Sequence, residues 1–254
     1  MGIYMNKLPK ITIYFWIMKI SATTLGETAG DLLSMTLNVG YAVSSLILLS
    51  IFFVVLSLQL LSKTYHPLLY WMVILLTSTA GTTMSDYMDR TLGLGYAKGS
   101  LILVTILLSI FIFWRMTNTS FSVEKIKTTK VEFLYWVAIV FSNTLGTALG
   151  DFLADSSGLG FSGGALLIST LLVIITLASF FTSISKTLLF WLAFILTRPF
   201  GATMGDLLTK TTEKGGFGFG TIGSTIILAY ILIFFIFLDQ RKLNKTKSIA
   251  NEVK

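Results

Sequence analysis

Four aspartates hold equivalent places in this chain, Asp31, Asp86, Asp151 and Asp206, each fifteen residues after a tryptophan (Trp16, Trp71, Trp136, Trp191). The text leading to them repeats as GETAGD, GTTMSD, GTALGD and GATMGD. Positions four and seven residues back share a helix face with each Asp. They are Glu27 and Thr24, Thr82 and Thr79, Thr147 and Thr144, and in the fourth copy Ala202 and Pro199. Carboxylates and hydroxyls in such a stripe are hard oxygen ligands. They suit Mn²⁺, Mg²⁺, Ca²⁺, a monovalent cation or a proton better than Zn²⁺ or Cu²⁺. Acids gathered in one layer also lend themselves to exchanging a proton for a cation.

Two residues break the repeat. Glu27 is the only acid at its template position, and Arg198, beside Pro199, is a lone guanidinium within an apolar stretch. An intramembrane Arg needs a partner, and the two template positions differ by one helical turn, about 6 Å. Glu27 and Arg198 are therefore expected to pair, which requires repeats one and four to adjoin.

Composition says what must position these groups. Hydrophobic residues make up 54% of the 254 and charged residues 12%, about half the charge of a soluble domain. Mean hydropathy is +0.81. The chain reads as an all-α integral membrane bundle and one membrane domain, 1–254. With no Cys and a single His (His66), disulfides and multi-histidine metal centres are excluded. No resident cofactor is expected, only a bound metal cation as substrate. The +7 net charge is spread around the spans, so it argues for topology and lipid contact rather than for nucleic acid. Lys and Arg gather at the N-terminus, the inter-repeat links and the C-terminus. That places both termini in the cytoplasm of a cell with the protein in its inner membrane. The N-terminal apolar run carries the first repeat's Trp and is read as retained rather than as a signal peptide.

Eight spans are expected, at 9–31, 41–62, 67–88, 96–116, 130–152, 161–182, 186–208 and 218–238. They form four two-helix repeats, 8–63, 64–117, 128–183 and 184–240, with a linker at 117–130 that divides the chain into halves and a cytoplasmic tail at 240–254. Two spans per repeat make the copies parallel, about an axis along the membrane normal. A pseudo-fourfold ring, odd helices inside and even helices outside, and a pair of pseudo-dimers both satisfy the sequence. A homodimer is a further possibility for the assembly.

The remaining features carry plainer expectations. The Trp residues are read as interfacial anchors, and at 1.5 Å per residue they put each Asp about 22 Å deeper, towards the outer face. The small residues Gly26/Gly30, Gly81/Ser85, Gly146/Gly150 and Gly201/Gly205 are four apart, spacing that permits close helix contact. They are also where the helix is able to break and expose carbonyls. Asp89 and Asp155 are expected to be solvated, and Lys19 to snorkel to the cytoplasmic side.

With its quadruple Trp-x14-Asp and Gly-x3-[Gly/Ser]-Asp text, the chain resembles a bacterial family of uncharacterised membrane proteins made of four tandem two-span repeats. The resemblance implies the eight-helix architecture and no activity. The first function class is transport, with Asp31, Asp86, Asp151 and Asp206 as the cation site, helped by Glu27, Thr82 and Thr147, and Glu27–Arg198 as a gating pair. The second is a structural or partner-binding protein whose Asp and Gly only fix helix ends. A metal-dependent membrane enzyme ranks last, because the sequence has no nucleophile–base pair, HExxH motif or phosphate loop.

Overall fold

A computed structural model describes residues 8–117, 126 and 128–252, so most of the 117–130 linker lies outside the described residues. Eight helices follow in order: α1 Ile13–Asp31, α2 Tyr41–Leu61, α3 Pro67–Asp86, α4 Tyr96–Thr117, α5 Thr129–Asp151, α6 Gly160–Phe181, α7 Lys186–Thr209 and α8 Thr221–Glu252. Local chemistry sets their starts. Pro67 opens α3, where its missing N–H costs nothing, and the Thr128 hydroxyl accepts from Val131 N–H at 3.4 Å to cap α5.

Seven of the helices are long and apolar enough to cross a membrane. The exception is α1, whose hydropathy is lowered by Lys19, Glu27 and Asp31. The last helix runs past 238 to Glu252, so the described part of the basic tail continues a helix.

The odd helices pack in the cyclic order α1–α3–α5–α7–α1, and each even helix packs mainly on the next repeat's odd helix: α2 on α3, α4 on α5, α6 on α7 and α8 on α1. Equivalent positions meet at both ends of the odd helices, so these run parallel. The even helices turn apolar side chains outward, among them Leu46, Phe53, Leu101, Ile112, Val173, Phe180, Ile226 and Ile233.

The repeated glycines explain the close inner ring. A Cβ on Gly26 would strike Ser78, on Gly81 it would meet Asn143, on Gly146 Arg198, and on Gly201 Thr23. Each glycine thus seats the same template position of the next repeat, and the fourth seats the first. In lipid, which is as apolar as Leu, this packing and interhelical hydrogen bonds would be what holds such a ring together. At Gly201 the obstacle includes the backbone carbon of Thr23 at 2.8 Å from the would-be Cβ, which no rotamer relieves. Gly201→Ala is therefore expected to cost about 1–3 kcal/mol, measured as unfolding in detergent. Gly223→Ala, whose Cβ would meet nothing within 4 Å, is the silent control.

The helices do not break at the Gly elements. Instead, in repeats one to three the α-helix ends at the Asp and widens into a π-helical turn, Leu32–Thr36, Tyr87–Thr91 and Phe152–Ser156. The chain then reverses through Gly40, Gly95 and Gly160, at φ of 81°, 71° and 67°, a region costly for other residues. Repeat four has no π turn: α7 stays α-helical through Thr209, and a 3₁₀ turn, Thr212–Lys214, follows.

The tryptophans are corrected by the structure. Trp71, Trp136 and Trp191 are buried, and only Trp16 is half-buried. Each packs, tilted or edge-on, against the aromatic that precedes the Trp of the previous repeat. Ring centroids lie 5.6 Å apart for Phe15–Trp71, 5.5 Å for Tyr70–Trp136, 6.0 Å for Tyr135–Trp191 and 5.7 Å for Phe190–Trp16. The rings form a closed aromatic collar across that end of the inner bundle. Interhelical packing has won over interfacial anchoring, because the Phe/Tyr neighbour gives each indole a partner ring.

Candidate functional site

Stepping back from each Asp in fours follows the inner face of the odd helices, and every residue on that path is buried. Successive layers are about 6 Å apart. Below the Asp layer come Glu27, Thr82, Thr147 and Ala202, then Thr23, Ser78, Asn143 and Arg198. Lys19, Ile74, Ile139 and Phe194 follow, and the collar aromatics Phe15, Tyr70, Tyr135 and Phe190 close the series. A column of polar side chains thus lines the axis from the acid layer down to Lys19, whose layer is otherwise apolar, with the aromatic collar beyond it.

Arg198 fills the middle of the column. Its Nη2 lies 2.9 Å from Glu27 Oε2, 2.6 Å from both Thr82 Oγ1 and Thr147 Oγ1, and 3.3 Å from the Ser78 carbonyl. One guanidinium therefore touches all three of the other odd helices. Thr82 also donates to Glu27 Oε2 at 3.2 Å. Thr24, Thr79 and Thr144 contribute nothing to the axis, since each hydroxyl bonds the carbonyl four residues back in its own helix.

Lys19 does not snorkel. It is fully buried, with Nζ 4.0 Å from the centroid of the Phe194 ring and 3.5 Å from Asn143 Oδ1. Asn143 in turn donates to Thr77 at 2.9 Å. Lys19 points towards the axis, where the ring of odd helices encloses it, leaving it no path along apolar surface to water.

The four Asp side chains form two pairs, each joined by a cation. Lys210 Nζ is 2.8 Å from Asp31 Oδ2 and 3.0 Å from Asp206 Oδ1, and Arg90 is 2.8 Å from Asp86 Oδ1 and 3.5 Å from Asp151 Oδ2. Lys210 hydrogen-bonds Asp31. Asp206 Oδ1, Asp86 Oδ1 and Asp151 Oδ2 are buried and accept no aligned hydrogen bond, so their cations are charge contacts only. The carboxylates are buried, whereas the Arg90 and Lys210 side chains are 32% and 22% exposed, which makes this the end of the column nearer to solvent. Burial disfavours the Lys210 ammonium, but Asp206 and Asp31 outweigh it and hold its pKa above the ordinary lysine value. Lys210 is consequently charged at neutral pH.

The two pairs differ. Only Asp31/Asp206 has a third acid: one oxygen each of Glu27, Asp31 and Asp206 lie within 4.8 Å of one another. In the other pair the corresponding residues are Thr82 and Thr147. Three buried carboxylate oxygens this close fit the oxygen-only shell of a hard cation. The residues after the reversing Gly40 and Gly95 bring more side chains to the acid layer, with the Tyr96 ring centroid 5.7 Å from Arg90 and Tyr41 beside Arg90 and Asp86. Asp89 is not solvated. It is buried beside Gly99 of α4 and accepts from Ser85 at 3.2 Å, because the π turn folds it inward. Asp155 is exposed and accepts from Tyr96. His66 sits in the exposed link between α2 and α3, bonded to Thr64.

Sequence reasoning missed Arg90 and Lys210 as partners of the acids, although both stand four residues after a repeat Asp, the spacing of a helical ion pair. It also missed the aromatic before every Trp, written FW, YW, YW and FW in the sequence.

A family model described as Repeat of Unknown Function (DUF347) matches the chain four times, over residues 14–65, 69–120, 134–185 and 189–241. No curated protein matches, and no solved structure does.

Proposed function

We propose that this chain, which belongs to the Repeat of Unknown Function (DUF347) family, is a membrane carrier for a small hard cation held by Glu27, Asp31 and Asp206. What carries this conclusion is the buried column of ionisable groups on the axis of a bundle whose outer helices are apolar. Such groups are costly inside a membrane and typically mark ion or proton pathways. Once Lys210 withdraws, three carboxylates face only Arg198, leaving two negative charges, the charge that one divalent cation neutralises. Arg198, Lys19 and the aromatic collar fill the axis beyond the site, which suits a carrier with alternating access better than a pore. All eight helices are taken to lie in the inner membrane with the basic ends in the cytoplasm. The collar then faces inward and the acid layer outward, with lipid around the even helices.

A second reading has its own observation: Asp86–Arg90 and Asp206–Lys210 are i,i+4 ion pairs at helix ends, as helix-fixing groups would be. Uptake by proteoliposomes from a panel of Mn²⁺, Mg²⁺, Ca²⁺, K⁺ and H⁺ separates the two. A carrier moves at least one divalent cation in a saturable way, and folded protein that moves none supports the structural role.

A further inference from the structure

We propose that Lys210 is a tethered cation that offsets part of the charge of the acid site while it is empty, allowing the unloaded carrier to return across the membrane. The inference rests on the assignment of Glu27, Asp31 and Asp206 as the cation site. The Lys210 ammonium already lies against two of the three acids of the site, 2.8 Å from Asp31 and 3.0 Å from Asp206. A transported cation can take its place only by displacing it.

The chain around Lys210 is built for that displacement. Lys210 is the first residue beyond α7, with an extended backbone at φ −68° and ψ 153°. The segment after it is rich in glycine, with Gly215, Gly218 and Gly220 at positive φ. The backbone is held, with Lys210 N–H donating to the Asp206 carbonyl at 2.8 Å and Gly218 N–H to the Lys210 carbonyl at 2.9 Å, so it is the side chain, 22% exposed, that can withdraw towards solvent without unwinding a helix. Arg90, although Gly93 and Gly95 at positive φ follow it too, differs in its backbone and in its side chain. It lies inside the π turn Tyr87–Thr91, its ring neighbour is Tyr96, and its planar fork suits a fixed ion pair. A lysine ammonium is a compact charge on a flexible stem, closer to a free cation.

Charge then couples Lys210 to turnover. With Lys210 seated the empty site carries one uncompensated negative charge, and with a divalent cation bound and Lys210 withdrawn it carries none. Without the lysine side chain the empty site carries two, and moving uncompensated charge through the low-dielectric interior is strongly opposed. Such a carrier crosses loaded and stalls when empty, so it exchanges cations but does not move them net.

The test uses the full chain in proteoliposomes and whichever of Mn²⁺, Mg²⁺ and Ca²⁺ the wild type moves best. Net uptake into cation-free vesicles is compared with exchange against the same unlabelled cation inside. In Lys210→Gln, net uptake is expected to fall by more than about tenfold while exchange stays within about threefold and half-saturation moves to lower concentration. Lys210→Arg is expected to retain part of the net flux. Equal loss of net uptake and exchange from folded Lys210→Gln would assign a structural role and overturn the proposal, as would unchanged net uptake. A wild type that neither takes up nor exchanges any of the three cations overturns the site assignment itself, and this inference with it.

Discussion

Asp206→Asn is expected to lower divalent-cation uptake by about 100-fold, with Asp31→Asn and Glu27→Gln close behind. Removing one charge from a buried, mutually arranged set of ions typically costs several kcal/mol, and each 1.4 kcal/mol is tenfold. Asp86→Asn and Asp151→Asn are expected to act far more weakly on uptake. Their carboxylates share Arg90, and the positions one turn back hold Thr82 and Thr147 where a third acid would stand, so their loss weakens a fixed ion pair more than it depletes a binding site. The order of the four Asp variants in uptake assays on reconstituted, folded protein is the informative readout. Equal losses at all four positions would point instead to one symmetric ring of ligands.

The largest effect on stability is expected at the pair in the middle of the column. Arg198→Met leaves Glu27 buried beside Asp31 and Asp206 with the Thr82 hydroxyl as its donor, and Glu27→Met leaves Arg198 buried without its counter-charge. Breaking a buried pair by removing one partner costs about 3–5 kcal/mol. Arg198→Met also takes a donor from Thr82 and Thr147 at once, so it should be the more damaging of the two. Pairing predicts that the Glu27→Met/Arg198→Met double variant unfolds at less cost than the two single costs summed. The double-mutant cycle should give a coupling of about 1–3 kcal/mol in detergent unfolding. Additive costs would mean that each residue is held by its other contacts and that the ion pair itself contributes little.

The two-helix repeat could be read from the sequence because its markers are periodic: a Trp, a Gly pair and an Asp recur on a fixed template. Glu27 and Arg198 stood out by the same logic, as charges where the template has none. The partners of the acids were harder to find. Arg90 and Lys210 occur in only two of the four copies, beyond the last repeated motif, and their side chains look like ordinary loop cations until the ring brings neighbouring repeats together. Lys19 and the tryptophans were misread for one shared reason. Span-level reasoning treats a helix as facing lipid, whereas α1, α3, α5 and α7 face one another, so an aromatic or a lysine near a helix end has packed side chains around it instead of headgroups. The Gly elements were legible as close-packing spacing, but not the neighbour each one seats, which depends on the cyclic order of the helices.

The most direct test of a cation site on this axis is equilibrium binding of Mn²⁺ to the purified protein in detergent, with stoichiometry, beside Asp206→Asn. A site made of Glu27, Asp31 and Asp206 predicts saturable binding of about one ion per chain, lost in Asp206→Asn and largely kept in Asp151→Asn. Binding that survives Asp206→Asn, or its absence in folded wild-type protein for Mn²⁺ and for Mg²⁺ and Ca²⁺ alike, would contradict it.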